Sequence, residues 1–156
     1  MTTMDIYKKF IPLGIGVIVF IIVGIFYFYP PFGKMICESK SAPGDMSATF
    51  VYEVDFSFWR VKKLKVIETV EALDEAEIIR YRQTVEEEQA KFKDLKYYET
   101  DIVVDKNTLI NTITIDYKNV DRNKLHELEK GFSNNLTRIG KLRKIYINNG
   151  ATCRNA

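Results

Sequence analysis

The chain has 156 residues, 23 Lys plus Arg against 21 Asp plus Glu, a formal charge of +2, one His and two Cys. A charge this balanced offers no basic surplus for nucleic acid. One His and two Cys leave little material for metal or nucleophilic chemistry, so the starting expectation is a protein that is not an enzyme and carries no cofactor.

Residues 1–9 are a short polar start, and residues 10–32 then run through Phe10, Ile15, Val19, Phe20 and Ile25 to Phe32 without a charge. At ~1.5 Å rise per residue, about 20 apolar helical residues cross a hydrocarbon core of ~30 Å, so this stretch reads as a single N-terminal transmembrane helix. Lys8 and Lys9 outnumber Asp5 on its short side, which favours a cytoplasmic N-terminus and a domain outside the cell membrane. Tyr27, Phe28, Tyr29 and Phe32 beside Pro30 and Pro31 suit the interface where such a helix would end. Two other fates remain open. A signal peptide would be cut after Ser41, and a lipoprotein would be acylated at Cys37, although Lys34, Met35 and Ile36 are poor residues to precede that step.

Residues 33–47 change to Gly, Lys, Ser, Ala and Pro and read as an irregular linker. It contains Cys37; Cys153 lies close to the C-terminus. In an oxidising exterior the two would pair, in the chain-entropy model a gain of about 4–5 kcal/mol at most. Two free thiols, or a Cys37 bridge to a second chain, are the alternatives.

The domain, residues 48–156, opens with an alternation of Phe50, Tyr52, Val54, Phe56 and Phe58 against Thr49, Glu53, Asp55 and Ser57, the pattern of a half-buried strand. After a reversal near Trp59, Leu64, Val66, Ile67 and Val70 predict its hairpin partner. Asp74 followed by Glu77 has the form of a capping box, and Ile78, Tyr81, Val85, Gln89 and Phe92 share one face of a helix of about five turns. Tyr98, Thr100, Ile102 and Val104 predict a strand, Asp105-Lys106-Asn107 a turn, and Leu109, Ile113, Ile115 and Tyr117 its return. Asp121 caps a short helix with Leu125 and Leu128, and Gly131 is placed to end it. Leu142 to Ile147 reads as a last strand before Asn148-Asn149-Gly150.

The expected fold class is therefore α+β, an antiparallel sheet of about five strands in the order ββαββαβ with one long helix packed on it. The run Ile113-Thr114-Ile115-Asp116-Tyr117-Lys118-Asn119-Val120-Asp121, following a hairpin and a Glu-rich helix, resembles the small bacterial lipoprotein family typified by YehR, over residues 49–131. The resemblance implies a compact α+β domain held at the cell envelope and implies no biochemical activity.

His126 has no second ligand at metal spacing, and Glu86-Glu87-Glu88 point in different directions on a helix, so neither suggests catalysis. Two basic clusters remain: Arg60, Lys62, Lys63 and Lys65, and Arg138, Lys141, Arg143 and Lys144. In the second, Leu136, Ile139, Leu142 and Ile145 recur at every third residue, so a helix competes with the strand reading. Either cluster would suit anionic lipid headgroups or an anionic envelope polymer, against the plainer role of a solvated face. Phe56, Phe58 and Trp59 are expected to belong to the core, and Trp59, if instead exposed at the hairpin tip, is a candidate contact. The functional expectation is a membrane-anchored extracytoplasmic domain that binds or scaffolds an envelope protein or polymer; a small accessory subunit of a larger membrane complex is the alternative.

Overall fold

The hairpin expected from the alternation around Tyr52 forms the centre of a sheet. Strand β1 (Phe32–Ser41) precedes it; β2 (Ser47–Ser57) and β3 (Arg60–Glu71) then pair antiparallel, with Val54 opposite Leu64 and Ala48 opposite Val70. Phe58 and Trp59 make the two-residue turn at φ 49° and 58°, the left-handed pair whose twist matches that of the flanking strands. A register shift at Asp55/Phe56 places a bulge beside that turn.

Helix α1 (Glu75–Ala90) starts at Asp74, whose Oδ1 accepts a hydrogen bond from the Glu77 backbone N–H at 2.9 Å. It turns Ile78 and Val85 inward, as the helical spacing requires. Strands β4 (Tyr98–Asp105) and β5 (Thr108–Asp116) form the second hairpin. Helix α2 (Arg122–Leu128) begins where Asp121 Oδ1 accepts from the N–H groups of Asn123 and Lys124 at 3.0 and 3.2 Å. Helix α3 (Ile139–Asn148) and strand β6 (Thr152–Asn155) follow, with the turn between them passing through Gly150 at φ 85°.

The sheet is antiparallel throughout, in the order β4-β5-β3-β2-β1-β6. Its helix-covered face holds two apolar clusters. The larger is built on Met35, Val54, Leu64, Ile115, Leu125 and Leu142; the smaller consists of Ala48, Val70, Ile78 and Leu109.

The structure describes residues 23–24, 31–42, 45–128 and 138–156 of the chain in a computed structural model. The chain divides into two compact units, Met1–Pro31 and Phe32–Ala156. In the first, Val23 and Gly24 are helical. The rest of the segment read as a transmembrane helix, up to Pro30, lies outside the described residues, and so do Gly131 and Leu136. Among the described residues no helix is long and apolar enough to cross a membrane.

Three expectations are corrected. Most of the linker, residues 33–47, belongs to strand β1, which pairs with β2 along its whole length. The strand expected at Leu142 to Ile147 is instead helix α3, in which Leu142 is buried and Ile139 and Tyr146 pack beside it. The sheet has six strands rather than five, because β1 and β6 both join it, so the order is βββαββααβ.

Candidate functional site

Strand pairing sets one polar row across the inner face of the sheet. Ser39, Phe50, Glu68, Asn111 and Ile102 are successive register partners on β1, β2, β3, β5 and β4. Glu68 and Asn111 fall between the two apolar clusters and are 8% and 5% exposed. A buried carboxylate is tolerated only where donors replace its water. Here the Tyr81 hydroxyl donates to Glu68 Oε1 at 2.5 Å and Asn111 Nδ2 donates to Oε2 at 3.0 Å, while Gln89 Nε2 donates to Asn111 Oδ1 at 2.6 Å.

Tyr81 and Gln89 reach this row because they sit eight residues apart on the α1 face that also carries Ile78 and Val85. Burial, and then the hydrogen bond to Glu68 and its negative charge, hold the Tyr81 phenol far above its ordinary pKa. Tyr52 is raised for the same first reason, against a hydrogen bond with Ser39 that lowers it. Among the described residues no Lys or Arg lies within ion-pair distance of Glu68, so its charge is balanced by neutral donors.

Above the row, between α1 and the sheet, is an open cleft of about 750 Å³. Glu68, Tyr81, Gln89 and Asn111 supply its polar lining, and Phe92 and Tyr98, stacked at 4.5 Å, form an aromatic wall. At the rim, Glu88 is tied to Lys91 at 2.7 Å. The volume lies in the range of small-molecule sites, and a carboxylate has about four acceptor positions, of which two are used here. Chemically, the unused acceptor positions of Glu68 suit a group bearing hydrogen-bond donors or positive charge. Among the described residues no three His, Cys, Asp or Glu side chains are grouped to hold a metal ion.

The residues singled out from the sequence are distributed as follows. Cys37 and Cys153 are opposite one another on β1 and β6 and are joined by a disulfide. Of the three aromatic residues expected in the core only Phe56 is buried; Trp59 is 43% exposed at the β2–β3 tip and Phe58 67% exposed beside it, because both occupy the turn rather than the strand face. The basic cluster on α3 divides. Arg138 is the residue before the helix and is exposed; it forms a backbone bridge with Arg60, so one member of each basic cluster meets at the hairpin tip. Lys141 and Lys144 are exposed along the helix. Arg143 turns inward and donates to the Cys153 carbonyl at 3.3 Å. His126 is exposed on α2, and Glu86 pairs with Arg82 at 2.7 Å.

Glu68 and Asn111 were missed as site residues. Their signal was present: each is a polar residue at a position where its strand's alternation calls for an apolar one, and the register makes them neighbours.

No protein-family model and no curated protein matches this chain. Two solved structures are similar in fold. The NMR structure of the E. coli YehR protein superposes with a TM-score of 0.56 at 14% identity, covering 76% of this chain and 88% of that one. The NMR structure of a protein from Streptococcus pneumoniae TIGR4 gives 0.51 at 21% identity, covering 78% and 83%. The chain thus has a YehR-like fold, and at these identities the likeness concerns the fold alone.

Proposed function

We propose that this chain is a non-enzymatic binding protein of the cell envelope: residues 10–32 anchor it in the cell membrane, and the α+β unit outside captures a small ligand carrying an ammonium group in the α1 cleft. The observation that carries the binding reading is the Glu68 carboxylate, more than nine-tenths buried yet balanced by neutral donors, at the base of a cleft of ligand size. An ammonium group would use the remaining acceptor positions of Glu68, and the apolar body of the ligand would lie against the Phe92–Tyr98 wall. The anchor is supported by the uncharged run of residues 10–32 and by the Lys8 and Lys9 asymmetry.

The test is calorimetric titration of the detergent-solubilised full chain with putrescine, choline and free lysine, beside a neutral polyol. Saturable binding of an ammonium compound that disappears in Glu68→Gln supports the reading. Equal binding by Glu68→Gln, or binding of the polyol alone, would sink it. Resistance of the chain to alkaline extraction from membranes tests the anchor separately.

A further inference from the structure

One end of the sheet gathers three exposed aromatic rings and a set of cations. Phe32 opens β1 opposite Ser57, the last residue of β2, so the point where the chain enters the domain is level with the β2–β3 turn. Phe32 is 54% exposed, Phe58 67% and Trp59 43%, and the Phe32 and Phe58 rings meet edge to face at 5.0 Å. Burial of these rings in the core would be the ordinary outcome for side chains of this size, so their shared exposure marks a contact surface. The turn itself would suit Asn-Gly; two aromatic residues occupy its left-handed positions instead.

At the same end of the sheet are Arg60 and Lys62 at the start of β3 and Arg138 and Lys141 at the start of α3, all exposed and none of them in an ion pair among the described residues. The acids nearest in register are occupied: Asp55 lies 3.9 Å from Lys34, and Asp116 accepts from Asn119 and from the Lys118 backbone. Helix α3 adds to the positive end. Its first backbone N–H, of Ile139, bonds to the Trp59 carbonyl at 2.9 Å, so its N-terminus abuts the tip. Arg138 and Lys141 lie in that terminus, where acidic residues would be favoured and none is present. Aromatic rings bordered by cations are the composition that membrane interfaces select: rings settle at headgroup depth and Lys or Arg meets anionic phosphates.

We propose that this end of the domain seats on a bilayer containing anionic lipid, with Phe32, Phe58 and Trp59 entering the interface and Arg60, Lys62, Arg138 and Lys141 contacting the headgroups. The inference rests on the anchored reading above, since Phe32 is the last residue of the apolar run of residues 10–32.

Trp59 is the single tryptophan of the chain, so its fluorescence reports this contact directly. The full chain is reconstituted into phosphatidylcholine vesicles with and without phosphatidylglycerol, each carrying lipid brominated at shallow acyl positions, and vesicle flotation is measured in parallel. With phosphatidylglycerol, Trp59 emission is expected to shift to the blue, be quenched by the brominated lipid and be shielded from aqueous iodide. High salt, and the variant R60Q/K62Q/R138Q/K141Q, should each reverse this while the chain still floats; each charge removed lowers the seated-to-free ratio about fivefold. If the chain floats but Trp59 remains open to iodide and untouched by brominated lipid, the seating is overturned and the anchor survives. If the chain does not float, both fail. Equal quenching without phosphatidylglycerol overturns the role of the four cations, and the salt response of the unaltered chain decides this even if the variant does not fold.

Discussion

Cys37 on β1 and Cys153 on β6 are direct register partners with α-carbons 4.0 Å apart, and their disulfide spans a sequence separation of 116 residues. It closes nearly the whole domain into one loop. Strand β6 is only four residues long and pairs with β1 alone; beyond that pairing, Arg143 of α3 donates to the Cys153 carbonyl. Reduction, or Cys153→Ser, is expected to free β6 and to lower stability by up to about 4–5 kcal/mol, the chain-entropy value for a loop of this length. The check is the denaturant midpoint with and without reductant, together with an intact mass two hydrogens lighter in the oxidised chain. An unchanged midpoint would mean that the disulfide adds nothing to stability beyond the β1–β6 pairing.

The Glu68 network makes an asymmetric prediction. Asn111→Leu removes the donor to Glu68 Oε2 and the acceptor of the half-buried Gln89 amide, while Tyr81 still donates to Glu68 Oε1, at a cost of about 1–3 kcal/mol. Adding Glu68→Met to that variant removes the stranded charge, and the double variant should be more stable than Asn111→Leu alone. Chemical denaturation of the three proteins measures this. If the second substitution deepens the loss, the carboxylate is not what the network serves to satisfy.

Much of the fold was legible because alternation and helical spacing are strong where one face is buried. Phe50 to Phe56, the Asp74 cap with Ile78 and Val85, and the turn after Asp105 all come from such patterns. Strand β1 was hidden because its inward residues are Met35, Cys37 and Ser39, only two of them buried, and its outward residues mix Phe32 and Ile36 with Lys34, Glu38 and Lys40, so no clean alternation shows. Strand β6 is short and polar; only its bridge to β1 explains its place. The apolar residues of α3 satisfy both periods over six positions, and the choice of helix came from packing of Leu142 and Tyr146 on the sheet, with the Tyr146 ring stacked on Tyr52 at 4.3 Å. The cleft was only half legible: the breaks in alternation at Glu68 and Asn111 are visible in the sequence, but the two become neighbours only through the β3–β5 register, across which α1 and β4 intervene.

The polar row divides the core, and the smaller part should respond on its own. Leu109 is fully buried in the cluster with Ala48, Val70 and Ile78, the last of which is carried by α1. Leu109→Ala is expected to cost about 2–5 kcal/mol and to speed amide exchange along α1 more than along β1 and β2. Leu64→Ala in the larger cluster, equal in side-chain change, should raise exchange across the sheet instead. Hydrogen exchange read by residue would distinguish the two, and identical maps would show that the row does not separate them.

Alkaline pH provides a last test of the row. Burial first, then the hydrogen bond to Glu68 and its charge, raise the Tyr81 pKa above its ordinary 10.0. The native chain therefore keeps a proton that the unfolded chain releases once pH passes 10.0, so this contribution to stability is intact below that value and declines above it. Tyr52 is also raised, chiefly by burial, and acts in the same direction. Tyr81→Phe removes one such proton; it should lower stability at neutral pH through the lost hydrogen bond, yet flatten the decline in alkali. Denaturant midpoints at about pH 9 and about pH 11.5, with near-ultraviolet absorbance to follow phenolate formation, measure both effects. Parallel declines in the two proteins would mean that Tyr81 ionises as an ordinary surface phenol and that its proton is not held against Glu68.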